Sequence, residues 1–281
     1  MSESQMTAQQ IVDYGLYLRD RERESSTIEK YLHEVRDFFV WLDGRALSKE
    51  MTAAWKEQLT RSGFAPATIN GKIAAINGFL NFAGWQGYRV NPLRIQRSIF
   101  RDPSRELSKT EYERLVQTAR SLGLERLELA IETICALGIR VSELRFVTVE
   151  AVRHGRTEIS LKGKIRTIML PSKLCRKLIN YARRQKIASG EVFLTRSGRS
   201  LSRKQIWAEM KALCLKAGVD ASKVFPHNLR HLFARCFYRA CRDIAKLADM
   251  LGHSSIETTR IYLISSGIEH AKTLESLRLV L

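Results

Sequence analysis

The stretch Pro226-His227-Asn228-Leu229-Arg230-His231-Leu232-Phe233-Ala234 decides how the second half of the chain is read. His227 and Arg230 stand three residues apart and so project from one helical face, while Leu232, Phe233 and Ala234 supply an apolar side to bury. The helical pattern runs over about 228–240 and is followed by others near 242–251 and 255–263. Downstream, Leu251-Gly252-His253-Ser254-Ser255-Ile256-Glu257-Thr258-Thr259-Arg260-Ile261-Tyr262 separates a histidine from a tyrosine by a short helical segment that Ser254 and Glu257 can cap. In the tail, Ile268, Ala271, Leu274 and Leu277 share one stripe. Upstream, in Ala136-Leu137-Gly138-Ile139-Arg140-Val141-Ser142-Glu143-Leu144, Gly138 ends one helix and Arg140 and Glu143 lie one turn apart in the next. Between these clusters, Glu158-Ile159-Ser160-Leu161 and Ile165-Arg166-Thr167-Ile168-Met169-Leu170 flank Lys162-Gly163-Lys164. Two β-rich runs about a glycine read as a hairpin with a basic tip. Helical patterns near 172–188 and 202–217 complete this half, which opens at Leu107 with a capping-box sequence, Ser108-Lys109-Thr110-Glu111.

The first part reads as a bundle of short helices. Ser26-Thr27-Ile28-Glu29 has capping-box form, after which Tyr31, Leu32, Val35, Phe38, Phe39 and Leu42 recur on one face. A second helix opens at Pro66 with Ile69, Ile73, Ile76, Phe79 and Leu80 as its inward stripe, and flanking helices are expected near 7–20 and 48–61. From about Tyr88 to Glu106 the periodicity breaks around Pro92 and Pro103, and Arg89, Arg94, Arg97, Arg101 and Arg105 accumulate. That is a basic linker suited to a phosphate backbone, or a solvated tether whose charges serve solubility. The expected organisation is residues 1–88 as a helical domain, 89–106 as linker, and 107–281 as a mixed, mostly helical domain. The fold class is mainly α with one small β-hairpin.

The chain's 281 residues suit two domains. Its 47 Lys plus Arg against 29 Asp plus Glu give a formal charge of +18 and a pI near 10.0, which calls for a polyanionic partner. A basic protein of membrane surfaces should also show an amphipathic anchor or lipidation signal, and neither is apparent, so nucleic acid leads. No apolar run approaches the ~20 residues of a membrane span, and the start MSESQMTAQQ lacks signal-peptide character; the expectation is a soluble, cytoplasmic protein, nucleoid-associated when bound to DNA. Cys135, Cys175, Cys214, Cys236 and Cys241 never form C-x-x-C and read as small core hydrophobes rather than a zinc site. No glycine-rich phosphate loop or helical H-E-x-x-H is present.

Met singly, each residue has a plain structural reading. Tyr262 between Ile261 and Leu263 is an ordinary core aromatic, His253 beside Gly252 a helix C-cap contact, Arg230 a residue that positions a phosphate without catalysis, and Arg140 with Glu143 a surface pair. The specific signal is their order: G-x-R-x-x-E, a hairpin lysine, H-x-x-R-H, then L-G-H with a tyrosine nine residues beyond that histidine. In these motifs, and over almost its whole length, the chain resembles the tyrosine recombinases, the lambda-integrase family that includes the Xer enzymes and Cre, with residues 1–88 resembling the family's helical core-binding (DNA-binding) domain and 107–281 its catalytic domain.

The resemblance implies that Arg140 and Arg230 clamp the non-bridging oxygens of the scissile phosphate, that Lys162 protonates the departing 5′ oxygen, that His227 acts in proton transfer, that His253 hydrogen-bonds the phosphate, and that Tyr262 attacks. Glu143 and His231 resemble supporting residues. The hairpin tip departs from common members by a residue, which leaves Lys164 as an alternative to Lys162. No metal, cofactor or ATP is implied. The implied partner is double-stranded DNA carrying recombination sites, bound by a homo-tetramer that exchanges strands through a Holliday junction, with the tail stripe docking onto a neighbouring subunit or packing on its own domain. A non-catalytic DNA-binding protein on the same scaffold and a type IB topoisomerase are the alternatives.

The chemistry independently calls for these residue types. In-line attack on a phosphodiester builds negative charge on the equatorial oxygens, which arginine's planar fork meets with two hydrogen bonds. A phenol of reference pKa ~10 needs a proton acceptor and a cationic pocket, and a basic alkoxide must be protonated as it leaves.

Overall fold

The computed structural model describes residues 5–95, 103–161, 164–253, 255–262 and 275–277. Two compact units divide it, Met1–Arg97 and Ser98–Leu281.

In the first unit, α1 (Ala8–Asp20), α2 (Ser25–Leu42), α3 (Lys49–Arg61) and α4 (Pro66–Phe82) form a bundle. Thr7 and Gln10 make a capping box at α1, and Pro66 occupies the first turn of α4, where a missing N–H leaves nothing unbonded. The capping box expected at Ser26 does not form. The carbonyl of Glu24 accepts from the N–H groups of Thr27 and Ile28 at 2.8 and 3.0 Å, so α2 starts earlier and Ser26 and Thr27 fall inside its first turn. Val35, Phe38, Leu42, Ile69, Ile73, Ile76, Phe79 and Leu80 are buried as the helical spacing predicts, with Trp55 and Val90 joining them. The chain after α4 stays on this bundle. The Asn77 side chain donates to the Val90 carbonyl at 2.8 Å and accepts from its N–H at 3.1 Å, and Asn70 grips Leu93 in the same way at 2.9 and 2.7 Å. Arg89 and Arg94 therefore leave an anchored segment and are exposed; Arg97 and Arg101 lie outside the described residues.

The second unit consists of α5 (Lys109–Ser121), α6 (Glu125–Leu137), α7 (Val149–His154), the strands β1 (Arg156–Leu161) and β2 (Lys164–Met169), then α8 (Ser172–Arg184), α9 (Arg203–Ala217), α10 (Pro226–Cys241), α11 (Ile244–Leu251) and α12 (Ile256–Arg260). Ser108 and Glu111 form the expected capping box at α5. The strands pair antiparallel from Arg156↔Met169 to Leu161↔Lys164. Ile159, Ile168 and Leu170 face a core built on Leu115, Ile131, Ile134, Leu178, Phe193, Ile206, Met210 and Leu229. Of the cysteines read as core residues, Cys214 is buried and Cys135 and Cys175 are partly buried, whereas Cys236 and Cys241 are exposed. Among the described residues no helix is long and apolar enough to cross a membrane.

Candidate active site

Three segments of the second unit converge. The first is the turn after α6. Gly138 closes that helix in the left-handed region at φ 62°, and a Cβ there would stand 2.2 Å from the Phe233 ring, so both the backbone and the packing against α10 require glycine. The segment that follows is a tight 3-10 turn, Val141–Phe146, with Arg140 as its N-cap, where the sequence spacing predicts a further helix. The carboxylate of Glu143, 1% exposed, accepts from the Arg140 backbone N–H at 2.7 Å through Oε2 and from Arg140 Nη1 at 2.9 Å through Oε1. The rest of the Arg140 fork faces open cleft, since its side chain is 45% exposed.

The second segment is α10, pinned at its start by Asn228 donating to the carbonyls of Arg105 (2.9 Å) and Lys223 (2.7 Å), and further along by Arg235 pairing with Glu106 and donating to the Leu107 carbonyl at 2.6 Å. His227, Arg230 and His231 project from one face of it. Arg230 is 1% exposed, a burial that a guanidinium tolerates only when its donors are matched. Its Nη1 donates to the Gly138 carbonyl at 2.6 Å, and its Nη2 donates to the Leu251 carbonyl at 2.8 Å and to His253 Nε2 at 2.9 Å. Through His253, whose ring stacks on Tyr262 at 5.7 Å, the guanidinium joins the cluster around that phenol.

The third segment is the turn from α11 into α12. Because Arg230 can only donate, His253 Nε2 accepts, and its proton sits on Nδ1, which donates to Thr259 Oγ1 at 2.8 Å. Tyr262, 4% exposed, packs with Ala234, Leu247 and Leu251. The His231 ring meets it edge-on at 4.4 Å, His253 stacks at 5.7 Å and His227 lies 6.4 Å away. Tyr262 is thus a buried aromatic, as its apolar neighbours imply, stacked on the imidazole that the more deeply buried of the two arginines holds.

Withdrawal from water and surrounding positive charge hold the imidazoles neutral. Burial, then His227, Arg235 and Arg230, push His231 down to about 3. Burial, then Arg230, Arg140 and Arg166, push His253 down to about 4. The same effects, with Arg230, Arg140 and Arg203 as the charged neighbours, hold His227 below the ordinary imidazole value. Beside Arg140, His227 and Arg230 opens a cleft of about 720 Å³, walled further by Arg203, Lys204, Trp207 and Phe225.

The structure therefore brings together Arg140, Glu143, His227, Arg230, His231, His253 and Tyr262. Lys162 lies outside the described residues, and of Lys164 only the backbone, at the start of β2, is described. Arg105 is exposed in a 3-10 turn, Pro103–Arg105, ahead of α5. Of the tail stripe, Leu277 is described and exposed, while Ile268, Ala271 and Leu274 lie outside the described residues. Among the described residues no three His, Cys, Asp or Glu side chains converge in a way that could hold a metal ion.

Sequence reasoning missed Arg166, which bonds Glu143, and the group Arg203, Lys204 and Trp207. Signals for both were present. Arg166 shares strand parity with Ile168 and Leu170, so a charge falls on the inward row. Arg203 and Lys204 place two cations in the first turn of α9, against the helix dipole.

The fold is shared with solved recombinases and integrases. XerH bound to palindromic difH substrate in a post-cleavage complex aligns over 98% of this chain and 90% of that one, with TM-score 0.73 and 20% identity. A lambda integrase tetramer bound to a Holliday junction aligns over 93% and 78%, with TM-score 0.73 and 18% identity. In sequence, residues 105–267 match the phage integrase family and residues 11–87 the phage integrase N-terminal SAM-like domain. The tyrosine recombinase XerA of Pyrococcus furiosus is 26% identical over 99% of both chains. The chain belongs to the phage integrase family and is a Xer-like tyrosine recombinase, an enzyme of site-specific DNA cleavage and strand transfer.

Proposed function

We propose that Tyr262 is the nucleophile of this recombinase and that Arg140 and Arg230 form its phosphate clamp. The observation that carries this reading is that the buried Arg230 bonds His253, whose ring stacks on Tyr262 at 5.7 Å, so guanidinium and phenol share one cluster of imidazoles held neutral. In the reaction, the Tyr262 oxygen forms a bond to phosphorus and the bond from phosphorus to the 5′ oxygen breaks, leaving a 3′-phosphotyrosine. The phenolic proton passes to His227, which is uncharged at neutral pH and able to accept it. The two guanidiniums meet the charge on the equatorial oxygens, and a hairpin lysine, Lys162 or Lys164, supplies the proton that the 5′ oxygen takes. Because the phosphodiester is exchanged rather than hydrolysed, rejoining to another strand's 5′ hydroxyl needs no external energy.

Glu143 supports the clamp by orienting Arg140, and His231 supports it by packing against the Tyr262 ring. The DNA partner follows from the +18 charge and from the DNA-bound relatives. The lambda integrase tetramer on a Holliday junction supports a homo-tetramer on two synapsed duplexes, with the residue 268–277 stripe docking between subunits. Arg89, Arg94, Arg97, Arg101 and Arg105 contact phosphates along the connecting segment, and the enzyme works in the cytoplasm on the nucleoid.

The deciding experiment offers nicked duplexes from the gene's flanking DNA to the wild-type chain and to Tyr262→Phe, and maps any covalent peptide. Wild type forms an adduct at Tyr262 and the variant binds equally well but forms none; an adduct at another residue would refute the assignment.

A further inference from the structure

A charged side chain on an inward strand row is costly unless something compensates it, and β2 carries one. Its outward residues Ile165 and Met169 are 74% and 67% exposed, whereas Ile168 is buried. Arg166 lies on the row of Ile168, and its side chain is 14% exposed. The guanidinium has two polar partners. Nη2 donates to Glu143 Oε2 at 2.6 Å, and Nη1 donates to the Met250 carbonyl at 3.1 Å. It also lies flat against Gly252, where a Cβ would stand 2.7 Å from both its Cδ and its Nη1. Gly252 holds φ 66°, so glycine serves the turn and the close approach together.

Each partner belongs to a segment of the site. Glu143 is the residue that grips Arg140 by its backbone and by Nη1. Met250 and Gly252 flank Leu251, whose carbonyl holds Arg230, and lead into His253. Without Arg166 the nearly sealed Glu143 carboxylate keeps its two bonds to Arg140 but loses the one that braces Oε2 from the hairpin side, so the Arg140 fork is aimed less firmly.

We propose that Arg166 is a positioning residue that aims Arg140 at the scissile phosphate by fixing the Glu143 carboxylate from the hairpin side. This rests on the reading of Arg140 as part of the clamp. Touching no DNA itself, Arg166 acts through Glu143, and its removal lowers the rate of phosphotyrosine formation far more than it lowers DNA affinity.

The test begins with wild type captured covalently on nicked duplexes from the gene's flanks, and the captured duplex becomes the probe. Arg166→Ala, Arg166→Lys, Glu143→Gln and the double variant Glu143→Gln with Arg166→Ala are compared for adduct rate at saturating duplex, for affinity and for thermal midpoint. A second probe carries a methylphosphonate at the scissile position, which removes the charge that an aimed Arg140 serves to meet. Arg166→Ala should slow adduct formation about a hundredfold on the ordinary duplex, the scale of losing one oriented donor, with affinity within about threefold and a much smaller loss on the methylphosphonate. Arg166→Lys, which keeps the charge but not the two-partner fork, should fall between. The double variant should be no slower than the slower single one, as residues acting through one path are non-additive. An unchanged rate, or an equal loss on both probes, would overturn the positioning role while leaving the clamp intact. If Arg166→Ala does not fold, Arg166→Lys decides by the same two-probe comparison. Failure of wild type to form any adduct would overturn the phosphotyrosine reading and this role with it.

Discussion

Replacing His231 by glutamine should make the protein's stability less sensitive to mild acid, by an amount set by the site. The imidazole is pushed down to about 3 in the folded chain, against about 6.5 when unfolded. A base whose folded pKa is depressed binds more protons unfolded, so its contribution is intact above about 6.5 and is lost as pH falls toward 3. At pH 5 the unfolded imidazole is almost wholly protonated and the folded one is not, which favours unfolding by about 2 kcal/mol relative to pH 7. His253, pushed down to about 4, adds a similar amount with the same sign. Glutamine at 231 carries no titrating group, so whatever packing it loses against Tyr262 and His227 is the same at each pH. Urea unfolding of wild type and His231→Gln at pH 7, 6 and 5, followed by circular dichroism, should show the stability gap shift by about 2 kcal/mol in the variant's favour between pH 7 and 5. A gap that stays constant over that range would refute the picture of a neutral, desolvated imidazole against the tyrosine.

Arg140→Ala and Arg230→Lys should each lose about a hundredfold or more in the rate of covalent adduct formation on nicked duplex, because neither a methyl nor a point charge reproduces a bidentate clamp; retention of more than a tenth of the wild-type rate would count against it. Gly138→Ala should destabilise the second unit by about 2–4 kcal/mol in a denaturant titration, combining the left-handed backbone at φ 62° with a Cβ driven into the Phe233 ring at 2.2 Å, and a neutral substitution would refute the close approach. Duplex affinity should fall with salt at a log–log slope of about −0.9 per phosphate contacted, measured by fluorescence anisotropy; replacing Arg89 and Arg94 together should flatten that slope by about two contacts' worth, and no change would remove them from the interface.

How legible the fold was depends on the kind of signal each element carries. The stripes Val35–Phe38–Leu42 and Ile69–Ile73–Ile76–Phe79–Leu80 announce α2 and α4 because burial itself imposes the helical period. The hairpin was equally plain, since β-branched runs meet at Gly163. The start of α2 was misread because a capping-box spelling at Ser26 says nothing about whether the carbonyl of Glu24 has already begun the helix. The turn at Arg140 was read as helix because residues three apart share a face in either helix type. That Arg140, His227, Arg230, His253 and Tyr262 lie together was legible through their motif order, but the place of Arg166 beside them was not. Its partners, Glu143 and the Met250 carbonyl, lie 23 and 84 residues away, and no local spacing records a pairing made by tertiary structure. The packing of Val90 and Leu93 onto α4 through Asn77 and Asn70 escaped for the same reason, as a basic, proline-bearing stretch looks like a tether until its backbone partners are known.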